Sequence, residues 1–181
     1  MITVRLVRYS TNPDRYGSVA AVTDDDLRLR PMTSAELSDY RAQIEERFAA
    51  DVHTSAKISI EAARVESHLV LGGLFPEGGL APGAQIWVAE DTAGARVGIL
   101  WLAHREAGTP TEHAWIYDIA VDEARRGSGW GRKLLAQAEE QTRALGLTSL
   151  RLNVFGENTV ARNLYRSQGF TESRVTMIKD V

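Results

Sequence analysis

Residues 125–133, Arg-Arg-Gly-Ser-Gly-Trp-Gly-Arg-Lys, place three alternating glycines among four cations. Glycines have no Cβ, so Gly127, Gly129 and Gly131 let backbone N–H groups come close to an anion. A helix start just after them adds partial positive charge. Arg125, Arg126, Arg132 and Lys133 at that start oppose the helix dipole, at a cost of about a few tenths of a kcal/mol each when exposed. In an acidic chain such a cluster makes physical sense where a phosphate-bearing ligand lies. The plainer reading is a tight turn followed by a solvated, basic first turn. Two common phosphate signatures fail. The dinucleotide fingerprint G-x-G-x-x-G is replaced by G-x-G-x-G, and Arg151 occupies the region where its acid belongs. The nucleotide P-loop needs G-K-[ST], whereas Gly131 is followed by Arg132, Lys133 and Leu134.

The elements that must position this loop follow from periodicity and punctuation. Residues 1–26 read as an extension, with an alternating strand over 2–6 and then the turn-rich TNPDRYGS. Leu27–Pro31 reads as a strand. Thr33 and Glu36 have capping-box spacing and open a helix to about Ala50. A second helix runs from about Ser59 to Leu71 and ends at Gly72-Gly73. Strands over 85–90 and 97–104 are joined by DTAG, and a third covers 113–121. The glycine loop then leads into a helix to about Leu145, with Gly146 as its cap. A strand over 150–155, a helix over 159–167 closed by Gly169, and a final strand over 170–178 complete the chain. This order predicts an α/β layered fold.

Three segments in order resemble the GNAT superfamily of N-acetyltransferases. Ile116-Tyr-Asp-Ile-Ala-Val-Asp122 is similar to its central strand, and Arg126 to Gly131 is similar to its R-x-x-G-x-G coenzyme A loop. The stretch from Leu152 to Phe170 is similar to its closing motif, with Asn158, Ala161, Tyr165, Gly169 and Phe170 in register. The resemblance covers about residues 27–179 and implies a catalytic domain over 27–181. It implies a mixed, mostly antiparallel sheet, splayed at the central strand, with helices on both faces. It also implies acetyl-CoA as cosubstrate. Ile119 and Val121 would meet the pantetheine arm through their backbone. Arg126, Gly127, Ser128, Gly129, Trp130, Gly131, Arg132 and Asn158 would form the rest of the cofactor site. Trp130 precedes Leu134 by four residues and Ala138 by eight, an apolar stripe that favours packing over cofactor contact. Asn158 equally suits a helix cap.

Tyr165 resembles the family's general acid, which would protonate the leaving thiolate. The base is less legible. Trp115, Tyr117 and Asn153 stand where some members carry glutamate, so Asp118 is the nearest acidic candidate, with amine orientation as its other reading. His113 is a further candidate, and Glu45 and Glu46 read as solvated or substrate-lining. The implied reaction is direct attack by an amine on the thioester. The alternative is an acyl-CoA-binding regulatory domain without turnover.

Composition bounds the rest. The 181 residues carry a net charge of −3, which disfavours nucleic acid as a partner. With no cysteine, an acyl-cysteine route is excluded. His53, His68, His104 and His113 form no metal motif, so no metal is expected. No apolar run suits a membrane, and Arg5 and Arg8 break any secretory pattern, so a cytoplasmic setting is expected. The expected partner is a small-molecule or peptide amine, and a homodimer is compatible with the chain.

Overall fold

The computed structural model describes residues 23–24, 26–76, 79–104 and 113–179. The strand expected over 2–6 lies outside them, as does most of the loop before Ala114. A six-stranded sheet runs in the order β1 (Thr23–Asp24), β2 (Leu27–Pro31), β3 (Ala84–Glu90), β4 (Arg96–His104), β5 (Ala114–Val121) and β6 (Leu150–Leu152). Every neighbouring pair is antiparallel except β5 and β6, which are parallel. The helices are α1 (Ser34–Ala56), α2 (Ile60–Leu74), α3 (Trp130–Ala144) and α4 (Thr159–Ser167).

The two faces of the sheet carry separate cores. On one, Leu134, Leu135 and Ala138 of α3 pack against Leu100, Leu102 and Ile116. On the other, Tyr40 and Ile44 of α1 and Leu71 of α2 meet Ile86, Ile99 and Trp101, with Phe75 beside them. Burial of each leucine contributes about 1.5–3 kcal/mol at most. Coverage of both faces explains why β4 is buried from Val97 to His104 instead of alternating.

Capping fixes where the helices begin. Thr33 Oγ1 accepts from Glu36 N–H at 3.3 Å, and Glu36 Oε2 accepts from Thr33 N–H at 2.9 Å. Arg30 reaches both Glu36 (2.7 Å) and Glu90 (2.6 Å), tying β2 to α1 and β3. That guanidinium, with the Thr33 N–H, pulls the Glu36 pKa down to about 2. Ser59 caps α2 through Ala62 N–H.

Several boundaries differ from the sequence reading. Helix α1 continues to Ala56, and α2 runs through Gly72-Gly73 to Leu74. Nothing lies within 4 Å of a Cβ built on either glycine, so neither marks a packed turn. The strand expected over 150–155 is only Leu150–Leu152. The strand expected over 170–178 is not formed. Positive φ at Gly169 (85°) turns the chain, and Glu172 is caught by Arg162 (2.7 Å) and Arg166 (2.6 Å) of α4. These contacts hold the start of the segment on α4, and the alternating Val175 and Met177 stand exposed at 66% and 91%.

The feature that positions the site is a break in pairing at β5. Trp101 pairs with Asp118 and Leu102 with Ile116, so Tyr117 is an extra residue that bulges and bends β5. Strand β6 accompanies β5 only over Ala114–Ile116. From Asp118 to Val121, β5 keeps β4 on one edge and, among the described residues, has no strand on the other.

Candidate active site

Main-chain alternation shows what faces this gap. Asp122 N–H donates to Val97 O on the β4 side (3.0 Å). Alternation along the strand therefore turns the main-chain groups of Val121 and Ile119 to the open edge. Arg126 Nε donates to Val121 O at 3.2 Å, which draws the glycine loop up to the end of the gap.

The loop itself is built for backbone exposure. Gly127 and Gly129 have φ of 78° and 86°, the left-handed region that favours glycine. A Cβ on either would meet nothing within 4 Å, so open space lies over both. Among the described residues, the N–H groups of Gly127 through Gly131 donate to no backbone carbonyl. Gly129 caps α3 without a side chain, leaving those donors to an external acceptor. The four nearby cations divide. Arg125 pairs with Asp91 at 2.8 Å, and Lys133 pairs with Asp26. Arg126 and Arg132 are exposed, and Arg132 has no ion pair among the described residues. A nest of free N–H groups with two available guanidiniums fits a diphosphate.

Side chains from opposite faces of the sheet bracket the gap. Asp118 projects to the α1 face, where its Oδ2 accepts from Tyr40 Oη at 2.8 Å and from Arg47 Nη2. Tyr165 of α4 belongs to the α3 face, packed on that core and against Phe170, with ring centroids 5.7 Å apart. Burial, reinforced by the charge of Asp118, raises the Tyr165 pKa to about 12, so its proton is present at neutral pH. The Tyr40 pKa is raised more strongly, by deep burial and then by Asp118. Loss of solvent around Asp51 raises its pKa, with Arg47 opposing and Asp118 adding to the effect. Tyr40, Arg47, Asp51 and Tyr165 thus all lie within electrostatic reach of Asp118.

A sequence profile of the acetyltransferase (GNAT) family matches residues 50–170. The chain belongs to the GNAT acetyltransferase family. This acetyltransferase is 32% identical to the uncharacterized N-acetyltransferase YycN of Bacillus subtilis over 153 residues, covering 84% of this chain and 97% of that protein. The crystal structure of YycN superposes with a TM-score of 0.80 at 31% identity, covering 86% of this chain and 98% of that one. A mycothiol acetyltransferase from Beutenbergia cavernae is 38% identical over 87 residues, 48% of this chain and 28% of that protein. The family uses acetyl-CoA, and the observed sheet with helices on both faces is the GNAT fold.

Other sequence candidates of this acetyltransferase fall into place around the gap or away from it. Asn158 caps α4, its Oδ1 accepting from Ala161 N–H at 3.1 Å. Trp130 packs on the α3 core with Lys133 over its ring at 5.1 Å. Gly131 also serves packing, because a Cβ there would come within 2.9 Å of Leu164 Cδ2. Glu45 and Glu46 turn to α2, pairing with His68 (2.8 Å) and Arg64 (3.1 Å), so neither lines the gap. His113 is buried before β5, beside Trp115 and five residues from Asp118. Among the described residues no cluster of three or more metal-ligating side chains forms, and no helix is long and apolar enough to cross a membrane.

Sequence reasoning missed Tyr40, Arg47 and Asp51. Their spacing with Ile44 (i, i+4, i+7, i+11) places them on one stripe of α1. Polar groups interrupting an otherwise inward-facing stripe were the available signal.

Proposed function

We propose that this protein is an N-acetyltransferase that moves the acetyl group of acetyl-CoA directly to a primary amine held between Asp118 and Tyr165. The carrying observation is that these two residues flank the broken strand from opposite faces, Asp118 held on the α1 face by Tyr40 and Tyr165 packed on the α3 face. Residues 127–131, with Arg126 and Arg132, would hold the diphosphate of the cosubstrate, and the main chain at Ile119 and Val121 its pantetheine arm. The cosubstrate supplies an activated thioester. The Ile119 N–H would offer a hydrogen bond to the oxygen that gains charge during attack. Tyr165 would donate its proton to the departing sulfur.

Asp118 already accepts from Tyr40 and Arg47 through Oδ2, which suits orienting the amine better than acting as its only base. The proton on the attacking nitrogen would then leave through water. A small-molecule or peptide amine acceptor accords with the likeness to a mycothiol acetyltransferase. Residues 27–181 would form the acyltransferase unit, in a cytoplasmic setting.

Tyr165→Phe tests the assignment, because it keeps the ring against Phe170 and removes only the hydroxyl. CoA affinity should survive. Single-turnover CoA release should fall by about 10²-fold. Undiminished release where chemistry limits the rate would remove the proton-donor role.

A further inference from the structure

We propose that Arg47 is a resident stand-in for the acceptor: its guanidinium holds the place on Asp118 that a cationic amine takes, so that acceptor binding displaces it. The inference rests on the reading of Asp118 as the amine-orienting group and adds what that group does before the acceptor arrives.

The two partners of Asp118 differ in kind. Tyr40 is buried, with 4% of its surface exposed, and meets Trp101 edge-on at 6.1 Å, so its hydroxyl is a fixed part of the site. The Arg47 side chain is 46% exposed and reaches in from solvent to Asp118, with the Tyr40 hydroxyl beside it. The carboxylate itself is only 14% exposed. A carboxylate so withdrawn from water needs a cation or donors to stay charged, and Arg47 supplies one. An ion pair whose arginine half stands in solvent is weakly held, so an incoming ammonium can replace it without dismantling the core.

Charge and position point the same way. Among the described residues, Asp118 and Asp51 both lie within reach of Arg47, so carboxylates outnumber the cation in this corner. That balance favours an amine that is protonated in solution. Asp118 is also the first residue beyond the Tyr117 bulge and one residue before Ile119, whose main chain faces the gap. A cation seated on Asp118 is thus beside the reacting position, where a guanidinium blocks and an amine would be acylated. The acceptor class this favours is a cationic amine without a carboxylate next to the nitrogen. A zwitterion would bring its own anion against Asp118 and Asp51.

The test is calorimetric titration of the CoA-saturated protein with n-butylamine and with ethylguanidinium, so it does not depend on turnover. Wild type, Arg47→Lys, Arg47→Ala and the Arg47→Ala/Asp118→Asn double variant are compared after equal stabilisation by CoA shows that each is folded. The expected result is n-butylamine binding about two- to fivefold tighter to Arg47→Ala than to wild type, the upper part of the range of an exposed ion pair. Arg47→Lys should stay near wild type, because it keeps a resident cation. Ethylguanidinium should compete with n-butylamine on Arg47→Ala, and the double variant should lose both ligands. Weaker amine binding by Arg47→Ala would make Arg47 an anchor and overturn the proposal. Equal binding would overturn it too. Failure of the acyl-transfer reading is a separate result: the affinity order would hold while no variant releases CoA from acetyl-CoA.

Discussion

The two sides of the strand break are built in contrasting ways. The loop side comes from one continuous run, Val121 to Leu135, and presents main-chain N–H groups made available by φ of 78° and 86° at Gly127 and Gly129. The α1 side is assembled from distant residues, with Tyr40 and Arg47 lying 78 and 71 positions from Asp118. It presents side chains, and those can be exchanged without altering the sheet. A backbone cradle suits a ligand common to a whole family, whereas a side-chain cluster suits a partner that varies. In the proposed reading, cosubstrate recognition would fall to the first side and acceptor choice to the second.

The largest expected effect breaks both sides at once. A Cβ on Gly98 would strike the Ala120 carbonyl oxygen and come within 3.3 Å of Leu134 Cδ1, forcing β4, β5 and α3 apart. Gly98→Val should cost about 3 kcal/mol or more. Thermal unfolding should show a loss of roughly 6–12 °C. A fall of under about 2 °C would mean that the β4–β5 contact does not hold the break in shape.

A smaller change sharpens the distinction. Thr33→Ala removes the cap of α1, the helix that carries Tyr40, Arg47 and Asp51, and leaves the glycine loop untouched. It should cost about 1 kcal/mol, or roughly 2–4 °C. The stabilisation gained from acetyl-CoA should be unchanged. Loss of that gain would show that α1 helps to bind the cosubstrate.

Legibility followed the same division. The backbone of the glycine loop could be read from sequence because its geometry is local, set by the spacing of Gly127 and Gly129. The Thr33–Glu36 capping box was readable for the same reason. Nothing in the sequence around Gly98 marks it, because its necessity comes from Ala120, which is 22 positions away. The Tyr117 bulge left no trace in the pattern of β5, although it starts the gap. Tyr40 and Arg47 could not be joined to Asp118 before the fold placed α1 against β5. The segment over 170–178 erred in the other direction. Its alternation is real, but the pairing of Glu172 with Arg162 and Arg166 takes its start to α4.

The most direct test of the central claim is the thermal shift given by acetyl-CoA, against ATP and NAD, on wild type and on Gly129→Leu. The shift is compared within each protein, because a side chain at φ of 86° carries its own strain of about 1–2 kcal/mol. At a ligand concentration about a hundredfold above Kd, binding should add about 2.7 kcal/mol, or roughly 5–10 °C. The account predicts that gain for wild type with acetyl-CoA, much less with ATP or NAD, and none for Gly129→Leu, whose side chain would fill the space over the loop. An equal gain from ATP, or a Gly129→Leu protein stabilised as fully as wild type, would contradict it.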